Sequence, residues 1–168
     1  MDINRELIQN YNNDSCESPV VQYHEQESIS TENTFQQDTI DVQFLHAELV
    51  RMTEKIGFEL RQQNKLTACI TLKLRYSNFE TFTKQLTIPY TNSDHILLKA
   101  ATELFAKLYE RRMLVRLLGI RFTHLIPGNN QIHMFDDTQE MIKLYQAIDS
   151  VKKQYGQGLL MKAAALQP

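Results

Sequence analysis

Lys73, Arg75, Arg116 and Arg121 are the cations whose placement could do chemistry, with Thr71, Thr81, Thr83 and Thr123 as short hydroxyl donors beside them. Thr71, Lys73 and Arg75 recur at every second residue, so an extended backbone puts all three on one face. Arg121 falls on the matching side of its own segment, and Ser28 and Ser30 add hydroxyls from an earlier one. Cations interleaved with short donors suit the phosphates of a polyanion, because they grip a backbone without reading bases. The same residues also describe an ordinary solvated sheet face, and spacing alone leaves both readings open.

Other chemistries have little to stand on. The five histidines share no ligand spacing. Cys16 and Cys69 are far apart and have no CxxC partner, so both read as reduced and structural. There is no glycine-rich phosphate loop of the GxGxxG or GxxxxGK[ST] type. No apolar stretch is long enough to cross a bilayer, and MDINRELIQN lacks the basic and apolar regions of a signal peptide, so a cytoplasmic protein without membrane contact is expected. With 42% hydrophobic and 23% charged residues the chain has the composition of a folded domain. Its net charge of −2 hides an asymmetry. Residues 1–50 carry one basic residue, Arg5, against ten acidic ones, a net of −9, whereas from residue 51 onward 17 Lys and Arg face 10 Asp and Glu, a net of +7. The second part therefore suits a polyanion better than the whole does.

The elements that must position these residues follow from hydrophobic period. Residues 1–26 are polar, with a short helical remnant from Arg5 to Tyr11 and then a linker. From Glu27 to Phe35, Ile29 and Phe35 share one side of an extended chain while Ser28, Ser30, Glu32 and Thr34 point the other way. Asp38 or Asp41 can cap a helix carrying Leu45, Leu49, Met52, Ile56 and Leu60. From Leu66 to Tyr76 the period becomes two, Ser77-Asn78 supplies a turn, and Glu80 to Ile88 reads as the returning strand. A second helix starts at Ser93 or Asp94, buries Leu97, Ala101, Leu104 and Leu108, and ends on Arg111-Arg112. Val115 to Ile126 forms the fourth strand, Pro127-Gly128-Asn129-Asn130 breaks regular structure, and a last helix opens at Asp137-Thr138 and runs to about Gln154 with Ile142, Leu144, Tyr145, Ile148 and Val151. The order β-α-β-β-α-β predicts an α+β fold, a four-stranded antiparallel sheet covered on one face by two helices, plus a C-terminal helical tail. Its other face stays open to a partner. Arg111, Arg112, Lys152 and Lys153 are placed where helix-terminal or solvated charges are routine and are left out of the site.

Particular segments carry a family resemblance. ESISTENTF resembles the strand that opens the little finger of Y-family translesion DNA polymerases, usually close to KSI-x-x-E-x-TF. FELRQQN, ITLKLRYSNF, FETFTKQLTIP, VRLLGIRFTHL and MIKLYQAIDSVKKQYG follow the same family's order and approximate spacing. The likeness runs from about Ser18 to Ala165, and the residues before it look like the last helix of the thumb. Glu27 departs from it, standing where a basic residue is common. The resemblance implies a thumb remnant and linker over 1–26, a little-finger DNA-binding domain over 27–127 and a tail over 128–168. It also implies that the open face, with Ser28, Ser30, Thr71, Lys73, Arg75, Thr81, Thr83, Arg116, Arg121 and Thr123, lies along primer-template DNA.

Gln131-Ile132-His133-Met134-Phe135 resembles the Q-x-x-L-F peptide by which bacterial polymerases bind the sliding clamp, with Met134 where Leu is common. The alternative is that Ile132, Met134 and Phe135 pack the tail helix onto the sheet. Y-family palm domains hold two metal ions with acidic residues near their N-terminus and in a Ser-x-Asp-Glu stretch, and this sequence has no counterpart. The chain is therefore expected to be a non-catalytic monomeric part, without a cofactor of its own, magnesium belonging to the family's catalytic domain. The alternative is the end of an active DNA-directed polymerase whose catalytic part is encoded upstream.

Overall fold

The computed structural model describes residues 27–110, 112–128 and 139–165. The expected helical remnant and linker over 1–26, Arg111, the peptide Gln131–Phe135 and the opening Asp137-Thr138 lie outside the described residues.

Strand β1 spans Ser28–Thr39, helix α1 Val42–Gln62, β2 Lys65–Tyr76, β3 Thr81–Thr91, α2 Asp94–Leu108, β4 Val115–Thr123, β5 Ile126–Pro127 and α3 Gln139–Tyr155, followed by a 3-10 turn at Ala163–Ala165. The four long strands pair antiparallel in the order β1-β4-β2-β3. Each crossover helix thus joins two parallel strands that have a third strand between them, which interleaves β1-α1-β2 with β3-α2-β4 and ties the sheet together from both ends of the chain.

The alternation of β2 makes the core. Ile70, Leu72 and Leu74 are completely buried and Tyr76 nearly so, alongside Leu118, Ile120 and Phe122 of β4 and Ile29 and Phe35 of β1. Against them pack Leu45, Leu49, Met52, Ile56 and Leu60 of α1 and Leu97, Ala101, Leu104 and Leu108 of α2. Burying a side chain of this size contributes roughly 1.5–3 kcal/mol. Asp41 is the cap of α1, its Oδ1 accepting from the backbone N–H groups of Gln43 at 2.9 Å and Phe44 at 3.2 Å. At the other end Asn64 takes the left-handed conformation, with φ 51°, and its carbonyl accepts from Gly128 at 2.6 Å.

Several boundaries differ from the sequence reading. β1 continues past Phe35 to Thr39, and β3 continues past Ile88 to Thr91. β3 tolerates Pro89 because it is an edge strand, where a missing N–H costs no ladder bond. β4 stops at Thr123 because His124 turns to φ 53°, after which Ile126 and Pro127 pair with Leu66 and Lys65. Helix α2 ends at Leu108, so its last-turn cation is Lys107 and the Arg111-Arg112 pair lies beyond it.

The tail helix departs most. Leu144 and Val151, counted among its apolar residues, are 49% and 37% exposed, whereas Lys152 is 6% exposed. Tyr145, Asp149 and Lys152 recur at steps of four and three, so α3 docks on a face with polar anchors rather than on its full apolar set. Arg61 of α1 is the centre of that dock. Its Nε and Nη2 donate to Asp149 at 2.7 and 3.0 Å, and its Nη1 and Nη2 donate to Asp94 at 2.6 and 3.3 Å. Nη1 also donates to the Asn92 carbonyl at 2.9 Å, and the guanidinium lies 5.1 Å from the Tyr145 ring centre. Burial pulls the pKa of Arg61 down, but the hydrogen bonds and charges of Asp149 and Asp94 outweigh it and hold the pKa above its ordinary value. Gly57 makes room for this arrangement, since a Cβ there would stand only 2.3 Å from Asp94 Oδ1. Farther along, Arg51 Nε donates to the Ala165 carbonyl at 2.9 Å.

Removing the cation would leave two carboxylates facing each other with little water. Arg61→Met is expected to lower unfolding free energy by about 3–5 kcal/mol in urea denaturation, the cost of breaking a buried ion-pair network from one side. A loss under about 1 kcal/mol, the value of an exposed pair, would show that the dock is not the anchor described.

Candidate nucleic-acid interface

The same alternation that buries Ile70, Leu72 and Leu74 turns Thr71, Lys73 and Arg75 to the opposite face. Register then assembles four rows across β1, β4, β2 and β3. The first holds Ser28, Thr123, Cys69 and Thr87, and the second Ser30, Arg121, Thr71 and Gln85. Glu32, Gly119, Lys73 and Thr83 make the third, and Thr34, Leu117, Arg75 and Thr81 the fourth. Nine of the ten residues singled out from the sequence stand in these rows.

Neighbours hold the long side chains in place. Arg121 Nη2 donates to Ser28 Oγ at 3.0 Å, and Arg75 Nε donates to Thr81 Oγ1 at 2.9 Å. Lys73 Nζ donates to both carboxylate oxygens of Glu32, at 2.9 and 3.1 Å. Cys69 is a free, buried thiol at one edge of the grid, and the Thr67 hydroxyl next to it donates to the Thr123 carbonyl at 2.7 Å.

Arg116 is the residue that the grid leaves out. Arg75 pairs with Leu117 and Tyr76 with Val115, so Arg116 is an unmatched bulge residue. The bulge re-aims it to the hairpin end of the sheet, 3.7 Å from Asp38 and with its guanidinium 4.9 Å from the Phe79 ring centre. Plain alternation could not have shown this, because a bulge is a property of paired strands.

Apart from Cys69, read as structural, six residues in these rows had no site role in the sequence reading: Glu32, Thr34, Gln85, Thr87, Leu117 and Gly119. Glu32 was legible as facing the same side as Ser28 and Ser30, and Gln85 and Thr87 continue the alternation of Thr81 and Thr83. Gly119 was not legible. It lies under the Glu32 side chain, and a Cβ there would stand 2.8 Å from Glu32 Cγ. Among the described residues no group of three or more His, Cys, Asp or Glu comes together to hold a metal ion, and no helix is long and apolar enough to cross a membrane.

The fold and this face define an α+β module with one side closed by helices and the other presenting cations, hydroxyls and an amide on a broad surface. The chain belongs to the impB/mucB/samB family, matching the model of the family's C-terminal domain over residues 26–134. The chain is 30% identical over 167 residues to DNA polymerase IV of Clostridium acetobutylicum, covering 96% of this chain and 42% of that protein. It is 28% identical over 163 residues to DNA polymerase IV of Clostridium kluyveri, covering 89% of this chain and 41% of that protein. It thus spans about two fifths of the length of these relatives. A solved complex of the beta-clamp processivity factor and the little finger domain of PolIV is similar over 66% of this chain and 99% of that one, with 22% identity and a TM-score of 0.47.

Gly119→Ala is expected to push the Glu32 carboxylate off Lys73 while leaving the fold intact. The net stability change should be within about 1 kcal/mol, since an alanine in a strand gains about 0.5–1 kcal/mol over glycine and an exposed ion pair contributes only about 0.2–1. Urea denaturation measures the first outcome, and a crystal structure of the variant with Lys73 still on Glu32 would contradict the second.

Proposed function

We propose that this chain is the non-catalytic, DNA-gripping part of a Y-family lesion-bypass polymerase, with Ser28, Ser30, Thr71, Lys73, Arg75, Thr81, Thr83, Arg121 and Thr123 lying along the backbone of primer-template DNA. The observation that carries this reading is the paired grid itself: three cations and a field of hydroxyls on one face, with no aromatic side chain in any of its four rows. A sheet that reads single-stranded RNA stacks bases on aromatic residues, and these rows offer none. Cations with short donors grip phosphates of any sequence, as a polymerase that moves along DNA requires. Arg116 reaches the duplex from the hairpin end, beside the grid.

The module works as a monomer in the cytoplasm, with residues 27–127 as the DNA-binding domain, 1–26 as thumb remnant and linker, and 128–168 as the tail. It holds no cofactor. Nucleotidyl transfer and its magnesium belong to the palm of the polymerase, and the second reading, a C-terminal part of an active enzyme encoded upstream, is favoured by the two-fifths coverage of its relatives. In the tail, Gln131, Ile132, His133, Met134 and Phe135 dock on the bacterial sliding clamp. Gln131 sets the register through its amide, and Met134 and Phe135 enter an apolar pocket, where the unbranched Met replaces Leu with little loss.

Replacing Lys73, Arg75 and Arg121 together by Ala should weaken binding to two unrelated duplexes about equally and flatten the salt dependence by roughly 2–3 in log–log slope, at about 0.9 for each phosphate no longer neutralised. Fluorescence anisotropy across a salt series measures both, and an unchanged affinity would move the DNA face elsewhere.

Met134→Ala with Phe135→Ala should abolish clamp binding in titration calorimetry and leave the fold and DNA affinity as they are. Equal clamp affinity for both proteins would remove the docking role, whereas an unfolded variant would assign these side chains to packing.

A further inference from the structure

The centre of the cationic face holds an acid. Glu32 stands on β1 and Lys73 on β2, two strand spacings or about 9–10 Å apart, with β4 between them. They meet only because the β4 residue in that row is Gly119, over which the Glu32 side chain lies on its way to Lys73. Both Glu32 oxygens accept from the one ammonium, at 2.9 and 3.1 Å. A carboxylate held in this way presents two anionic oxygens to Lys73, as the two non-bridging oxygens of a phosphodiester would. The pair is partly open to water, with side chains 30% and 46% exposed, so it contributes little to holding the sheet together. Its effect falls instead on whatever anion approaches Lys73.

We propose that Glu32 is an internal stand-in for a DNA phosphate: it occupies Lys73 in the free protein, and a phosphate of the duplex must displace it to reach the cation. This rests on the DNA-gripping reading of the open face and adds regulation to it. Lys73 then makes and releases its phosphate at small net cost, because each phosphate leaving Lys73 is replaced by Glu32. Arg121 and Arg75 are held by hydroxyls, which compete with a phosphate far less than a carboxylate does. The face therefore has two permanent cations and one that is switched, an arrangement suited to translocation along a backbone.

Glu32→Gln keeps the shape and removes the charge. On a fluorescein-labelled duplex the variant is expected to bind more tightly than wild type, with a salt slope steeper by about 0.9, so that its advantage grows roughly 3–4-fold between about 200 mM and about 50 mM salt. In a Lys73→Ala background the same substitution should give no such steepening. If Glu32→Gln does not tighten binding while Lys73→Ala weakens it, the stand-in is wrong and the DNA face survives. Steepening that persists without Lys73 would also overturn the proposal, since the effect would then be one of net charge. If neither Lys73→Ala nor Glu32→Gln changes affinity, the DNA-gripping reading fails, and the stand-in with it.

Discussion

Everything in this domain depends on the burial of one face of β2. Ile70, Leu72 and Leu74 have no exposure, and the residues between them have no choice of direction once these are inside. A slip of one residue would put Thr71, Lys73 and Arg75 into the core and leave three aliphatic side chains in water. The hydrophobic effect therefore places the cations, although it acts on none of them. The neighbours enforce the same register, since β4 and β3 pair with β2 along its length and their own inward residues must meet the same helices.

The second constraint is electrostatic and lies on the helical side. Arg61 joins α1, the start of α2 and the tail helix through two carboxylates that are otherwise shielded from water. A buried cation between two acids is a poor source of stability compared with apolar packing, but it is demanding in geometry, because each unpaired member would be costly. It therefore fixes where α3 lies on the domain. β5, paired to β2, and α3, held by Arg61, are thus both anchored to the domain.

The open face illustrates how charge counts mislead. The basic excess after residue 50 points to a polyanion, yet one of the three grid cations is matched by an acid from the acidic part of the sequence. The pairing is long-range in sequence, 41 residues apart, and short only because a glycine on a third strand leaves room. Local composition does not describe this neutralisation.

The sequence by itself determined the order of the long elements, the buried and open faces of β1 and β2, and nine of the sixteen grid positions, because periods of two and 3.6 are written in consecutive residues such as Leu66 to Tyr76 and Leu45 to Leu60. The cap of α1 was local too, but the sequence left it between Asp38 and Asp41, and the structure decided for Asp41. Tertiary structure decided what depends on partners from elsewhere in the chain. Arg116 left the grid through a bulge that exists only where β4 meets β2, and β4 was cut short by the left-handed turn at His124. Leu144 and Val151 stayed partly in water while Lys152 was buried, because the face α3 presents is chosen by Arg61, far away in sequence. Periodicity records which side chains avoid water on average; only the assembled fold decides which charges meet, since an ion pair across β4 needs three strands in register before it has any energy at all.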